Sequence, residues 1–297
     1  KSRWYDKKMK ETVGVLLAGG TGSRLYPLTS SINKHLLPVY SKPLIYYSLS
    51  TLMLAKNRDV IVVVDPKDED GFINLLGDGS KFGINISYVR QEEPKGLADA
   101  LYKSKALVKN KNINLILGDN IFYGKGLQDL LIKNKEASVN CFFSQEVKNP
   151  ENFGVVIRDS EEKVLHIVEK PKSPKSSEAV LGLYFYDNDV FQFIESLNPS
   201  ERGELEITDL NNKYIDNKST NIVNVGRGIN WFDAGTIGDL YEANNFIQTI
   251  EQRQNTLIGS LEEVSLNNGW IDLADLELLL KSIENTDYGL YLKSKYF

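Results

Sequence analysis

Short β-branched runs alternate with helix-length stretches along the first half of the chain. The apolar runs Thr12–Leu17, Val60–Val64, Ile84–Val89 and Ile113–Leu117 predict strands, and Leu44–Leu54, Asp68–Leu76 and Leu97–Val108 predict helices between them. Near-continuous apolar strands joined by helices belong to a parallel sheet covered on both faces. In such sheets ligands sit beyond the carboxyl ends of the strands. Two polar motifs fall at those ends, AGGTGSR from Ala18 and GDN from Gly118. From about Phe153 the runs shorten, and Val155–Ile157, Val164–Val168 and Val180–Tyr186 predict further strands. Helices resume at about Glu204–Ile215 and Ile237–Gln252, and the amphipathic tail Leu261–Phe297 predicts another near Leu273–Ser282. No internal repeat is present, and Lys170–Ser177 is too short to separate independent domains. The pattern predicts one main α/β domain carrying a C-terminal helical appendage.

Composition narrows the function classes. With 41% hydrophobic and 25% charged residues over 297 positions, the chain is an ordinary globular one that needs no disulfide or metal staples. Thirty-five bases against 40 acids leave a net charge of −5, which argues against nucleic-acid and anionic-membrane partners. The single cysteine, Cys141, reads as core, excludes an internal disulfide and points to a reducing compartment. His35 and His166 are the only histidines, so a His/Cys zinc site is excluded and any metal must be held by oxygen. No apolar run approaches the roughly 18 residues that span a bilayer. The first ten residues, KSRWYDKKMK, lack the apolar core of a signal peptide, and Met9 stands as a candidate native start. The expectation is a cytoplasmic protein.

Candidate chemistry concentrates in a few motifs. In LAGGTGSRLYPLT, glycines 19, 20 and 22 permit successive backbone N–H groups to converge on an anion, and Arg24 adds a planar fork of donors. The loop is no Walker A, and Leu25 stands where a dinucleotide fingerprint needs its third glycine. A plain strand-to-helix turn is the alternative. Between Arg24 and Arg58 the chain has no acid but carries Lys34, Lys42 and Lys56, a basic island suited to a triphosphate. Asp119 and Asp233 each follow an apolar run and adjoin glycine. They read as ligands of a divalent cation or as turn formers. Glu169-Lys170-Pro171 pairs an acceptor for sugar hydroxyls with a donor for phosphate, or is a surface ion pair. Asp187-Asn188-Asp189 matches the D-x-D of metal-dependent glycosyltransferases, although the apolar run Val190–Ile194 behind it favours a helix cap. Arg202 opens another helix and could reach an anion, while His166 reads as structural.

LAGGTGSRLYPLT, NKHLLPVYSKPLIYYSLSTLMLA, LLGDGSKFGI, LGDNIFYG, EKP, GLYFYDN, RGELEITDLN and WFDAGT occur in one order along the chain. In that order the sequence resembles the glucose-1-phosphate thymidylyltransferases, from about Glu11 to Leu292. The resemblance implies a Rossmann-like three-layer α/β/α fold with a mixed, mostly parallel sheet. It implies a catalytic domain over residues 11–253 (nucleotide part roughly 11–145, sugar-phosphate part roughly 146–236) and a helical appendage over 254–297. It also implies transfer of a thymidylyl group from dTTP, with UTP usable, to glucose 1-phosphate in dTDP-sugar biosynthesis. On matching positions Leu17, Gly19, Gly20, Gly22, Arg24 and Lys34 would hold the nucleotide, and Gln91 and Gly96 would read the pyrimidine. Asp119 and Asp233 would hold Mg²⁺. Asn120, Gly154, Glu169, Val180 and Tyr184 would hold the glucosyl part, with Lys170 and Arg202 on its phosphate. Arg24, Lys34 and Lys170 would be the catalytic cations. The long C-terminal region resembles that of tetrameric members, and Tyr288, Tyr291 and Tyr296 are expected at the surface of a homotetramer contact. His35 stands where the family usually has Gln, and Leu181 and Ala234 stand where it has Thr. Leu181 is expected beside the sugar site.

Overall fold

The computed structural model describes residues 11–137, 140–217 and 220–297, so Met9 lies outside the described residues. Its strands are β1 (Thr12–Leu17), β2 (Pro38–Val39), β3 (Lys42–Pro43), β4 (Asp59–Val64), β5 (Asn85–Arg90), β6 (Asn112–Leu117) and β7 (Asn120–Gly124). The second half adds β8 (Cys141–Glu146), β9 (Gly154–Arg158), β10 (Val164–Glu169), β11 (Glu178–Tyr186), β12 (Asn221–Asn224) and β13 (Ile229–Asp233). Among the described residues one nine-stranded sheet follows the path β10-β9-β11-β6-β1-β4-β5, with β8 beside β11 and β12 beside β8. β1 runs parallel to both β4 and β6, and β11 joins β6 antiparallel. The sheet is therefore the mixed, mostly parallel one expected. Chain order runs outward from β1 through β4 to β5 and then returns to β6, so a topological switch lies between β1 and β6. A crevice beyond the carboxyl ends of strands forms at such a point.

Alternation along the strands feeds two cores. Val13, Val15, Leu17, Ile61, Val63, Ile113 and Leu115 pack on one face, while Leu16, Val60, Val62, Val64 and Ile116 pack on the other. The second face is covered by the helix Leu44–Leu54, most of whose residues are buried. The buried ion pair of Lys42 Nζ with Glu251 Oε1, at 2.8 Å, ties β3 to the long helix Ile237–Gln254. Glu251 Oε1 also accepts the Ile258 N–H, which starts the tail on its path over the domain.

Several sequence expectations are corrected. The helix predicted over Leu97–Val108 breaks at Ser104 into Leu97–Lys103 and Lys105–Val108. The helix expected from Glu204 begins at Ile207, because the backbone of Leu205 pairs with Lys95 and Ala98 instead of closing a helical turn. Tyr288, Tyr291 and Tyr296 do not point outward. The helix Asp287–Tyr296 folds back, and their hydroxyls donate to Glu262 (from Tyr288) and Glu263 (from Tyr291 and Tyr296) of the same chain. Exposed apolar surface on the tail comes from Leu273, Leu278, Leu290 and Phe297.

Candidate active site

Two cavities open at the carboxyl ends of β1 and β6 and meet at Asp119. The first, of about 200 Å³, is walled by Leu17, Gly19, Gly20, Lys34, Gln91, Gly96 and Asp119. The second, of about 230 Å³, is walled by Arg24, Asp119, Asn120, Gly154, Glu169, Lys170, Val180, Tyr184 and Asp233. The glycine turn adopts its shape because Gly20 and Gly22 hold φ of +98° and +61°, a region costly for residues with a Cβ. The Thr29 hydroxyl donates to the Gly22 carbonyl at 2.9 Å and closes the turn. Gly22 itself faces Thr29 and Lys34 rather than either cavity.

Lys34 lies in a short 3-10 turn pinned by Asn33, whose side chain accepts the His35 N–H and donates to Asp68. Its ammonium reaches Asp119 Oδ2 at 2.5 Å. His35 is buried, and burial together with the Lys34 charge pushes its imidazole down to about 3, so the ring is neutral at pH 7. Burial opposes ionisation of Asp119, yet the Lys34 ammonium overrides it and holds that carboxyl well below the usual range. Asp233 moves the other way: burial and the facing Asp119 charge raise it to about 7.

The two aspartates are brought together by a ribbon, not by the main sheet. β7 and β13 pair antiparallel with Asp233 opposite Asn120, and the Ala234 N–H donates to the Asp119 carbonyl at 3.0 Å. Asn120 is the hub of this region. Its Oδ1 accepts from Trp231 Nε1 at 2.6 Å and from the Gly182 N–H at 3.1 Å, while its Nδ2 donates to Asp119 Oδ1 at 2.9 Å. Arg24 turns away from the glycine turn toward Asp233, and its guanidinium lies 2.8 Å from where a Cβ on Gly235 would stand. Lys170, between Glu169 and Pro171, is held at φ +42°, an uncommon conformation for a residue with a Cβ that orients it at the cavity edge. Glu169 Oε2 accepts from the Thr208 hydroxyl at 2.6 Å.

Sequence reading missed Trp231, Thr208, Gly182 and Phe153 as wall residues, although Trp231 and Thr208 sit inside WFDAGT and RGELEITDLN. Arg202 is not brought in; its guanidinium lies 2.9 Å from Glu206 in its own segment, and it lines neither cavity. Leu181 is also corrected. Along β11, Val180, Gly182 and Tyr184 line the second cavity, so the intervening Leu181 points into the core on the opposite face. Ala234 is buried against the long helix. Asp187 leaves β11 at the end away from Asp119, since Tyr186 pairs with Ile113 at the start of β6. Its carboxylate accepts from Asp189 N–H, Tyr214 and Asn140, which makes it a structural turn residue.

Comparison with known proteins fits this geometry. The sequence pattern of the nucleotidyl transferase family matches residues 13–250. The chain belongs to that family. It is 48% identical over 283 residues to the glucose-1-phosphate thymidylyltransferase of Neisseria meningitidis, covering 94% of this chain and 97% of that one. The enzyme of the same name from Mycolicibacterium smegmatis is 46% identical over 279 residues, with the same coverage. A Bacillus anthracis chain assigned to this activity and crystallised with sucrose superposes with a TM-score of 0.73 at 40% identity, covering 79% of this chain and 94% of that one. Among the described residues, no helix is long and apolar enough to cross a membrane.

Proposed function

We infer that the chain is a glucose-1-phosphate thymidylyltransferase, transferring a thymidylyl group from dTTP to α-D-glucose 1-phosphate to give dTDP-glucose and pyrophosphate. The observation that carries the chemistry is the meeting of the two cavities at Asp119. One has the glycine turn and Gln91 for a nucleotide; the other has Glu169 and Lys170 for a sugar phosphate. In our reading Leu17, Gly19, Gly20 and Lys34 hold the triphosphate, and Gln91 and Gly96 meet the base. Asn120, Gly154, Glu169, Val180 and Tyr184 surround the glucosyl part, and Lys170 neutralises its phosphate. Arg24 faces the junction, and Arg202 is left out of the site. A sugar phosphate is already anionic at pH 7, so the attacking group needs no general base. One of its oxygens forms a bond to the α-phosphorus while the bond from that phosphorus to the bridging β-phosphate oxygen breaks, and pyrophosphate leaves with the electron pair. The protein's part is to hold two polyanions in line and neutralise the charge they share.

Enzymes of this family generally use a divalent metal. Asp119 and Asp233 fit one: two facing carboxylates, one bonded to Lys34 and the other approached by Arg24 yet still raised well above the usual carboxylate range, form an oxygen site that wants more positive charge. We assign Mg²⁺ to them, where it would neutralise the reacting phosphates. The same reading divides the chain into a catalytic domain over 11–253 and an appendage over 254–297, places it in the cytoplasm and makes it a homotetramer through the exposed tail leucines. Pyrophosphate release from dTTP and glucose 1-phosphate in the presence of Mg²⁺ tests the activity. UTP should serve less well, and comparable kcat/KM for GTP would refute the assignment. A monomeric mass in light scattering at micromolar concentration would refute the tetramer.

A further inference from the structure

Gln91 follows the last residue of β5, and its backbone N–H is fixed to the Val64 carbonyl at 2.9 Å. Its side-chain amide is fixed as well. Nε2 donates to the Gly96 carbonyl at 3.1 Å and to Asp99 Oδ2 at 2.9 Å, so its two protons have two acceptors. Asp99 is buried in the first turn of the helix Leu97–Lys103, with Lys103 Nζ 3.6 Å from its other oxygen. Turning the amide over would set Gln91 Oε1 against a carboxylate and a carbonyl at once. The carbonyl oxygen must therefore face the other way, and it lies 3.5 Å from where a Cβ on Gly19 would stand, on the first cavity.

A glutamine free to turn over offers either a donor or an acceptor and does not distinguish one pyrimidine edge from another. Held in one orientation, it offers only an acceptor. Thymine and uracil present an N3–H donor between two carbonyls, whereas cytosine presents a bare N3 lone pair. We propose that Asp99 is a positioning residue for base selection: by locking the Gln91 amide it makes the cavity accept 2,4-diketo pyrimidine nucleotides and reject cytosine nucleotides. The proposal rests on the thymidylyl-transfer reading given above. It separates Asp99 from a role in helix capping alone, because a helix contact has no means of telling two bases apart.

The test uses the full chain with Asp99→Ala and Asp99→Asn, measuring kcat/KM for dTTP, UTP and dCTP at saturating glucose 1-phosphate and Mg²⁺. Asp99→Ala should lower the dTTP-to-dCTP ratio about tenfold or more, since only the Gly96 carbonyl then holds the amide and its donor can turn to cytosine N3. The dTTP-to-UTP ratio should not move, because the two bases share the edge in question. Asp99→Asn keeps an acceptor toward Gln91 and should restore most of the discrimination. If Asp99→Ala folds poorly, the ratio still decides, because it compares two nucleotides on the same folded molecules. Equal losses for dTTP and dCTP would overturn the proposal and leave Asp99 a helix-stabilising residue. Absence of thymidylyl transfer by the unsubstituted chain would instead overturn the functional reading beneath it.

Discussion

Gly182 gives the sharpest test of the hub around Asn120. A Cβ added there would lie 2.5 Å from Asn120 Oδ1, 2.7 Å from its Cγ and 2.8 Å from Leu117 Cγ. Its backbone lies within β11, outside the left-handed region, so backbone strain plays no part and the effect of Gly182→Ala is steric. Asn120 has to move. Overpacking costs about 1–3 kcal/mol, and each buried donor left without its partner costs a similar amount. The donors concerned are Trp231 Nε1 and the Gly182 N–H. We therefore expect a loss of about 3–9 kcal/mol in urea unfolding, a large share of the about 5–15 kcal/mol total for a domain. Activity per folded molecule should fall further, because Asn120 Nδ2 no longer steadies Asp119 Oδ1. Removing the clashing amide should compensate: Gly182→Ala with Asn120→Ala should lose at least about 1 kcal/mol less than the sum of the single variants. A Gly182→Ala protein within about 0.5 kcal/mol of the unsubstituted chain, or additive losses in the double variant, would refute the reasoning.

Other outcomes follow from the same geometry. Asp119→Asn and Asp233→Asn should each lower kcat by about 10²–10³, with the double variant losing far less than the product of the two; independent losses across a Mg²⁺ series would reject a shared cation. For His35 the folded pKa of about 3 lies below the unfolded value near 6.5, so the unfolded chain takes up a proton that the native one refuses. Stability should fall by about 1.4 kcal/mol per unit as pH drops from 6.5 toward 3, and His35→Gln should flatten that slope in acid titrations of unfolding. Leu181→Thr should leave the KM for glucose 1-phosphate unchanged while costing about 1–3 kcal/mol of stability, since that side chain is fully buried in the core; a shifted KM would put it back at the sugar site.

The central sheet was legible because its strands are apolar on both faces. β1, β4 and β6 came out within a residue or two of their predicted limits, as did the helix Leu44–Leu54 between them. Elements lacking that signal were missed. β7 and β13 are ribbon strands of mixed polarity, and the helix Leu127–Ala137 alternates apolar residues with lysines and acids. The tail misled for a related reason. Tyrosines in an amphipathic tail read as exposed surface, yet their hydroxyls are drawn inward by Glu262 and Glu263, acids that the sequence gives no reason to expect indoors.

The site was legible in its motifs but not in its wiring. Asp119 and Asp233 were singled out from single loops, and what unites them is a ribbon register that no local pattern announces. That register has a consequence for Trp231. It sits two residues before Asp233 on β13, on the same side of the strand by the two-residue period, so the strand that delivers one aspartate also delivers the indole N–H that orients the partner of the other. A slip of one residue in the ribbon would turn both side chains to the far face together. Position of the two carboxylates and orientation of the Asn120 amide are thus set by one register, which is why a motif spacing of 114 residues can nevertheless specify a single site.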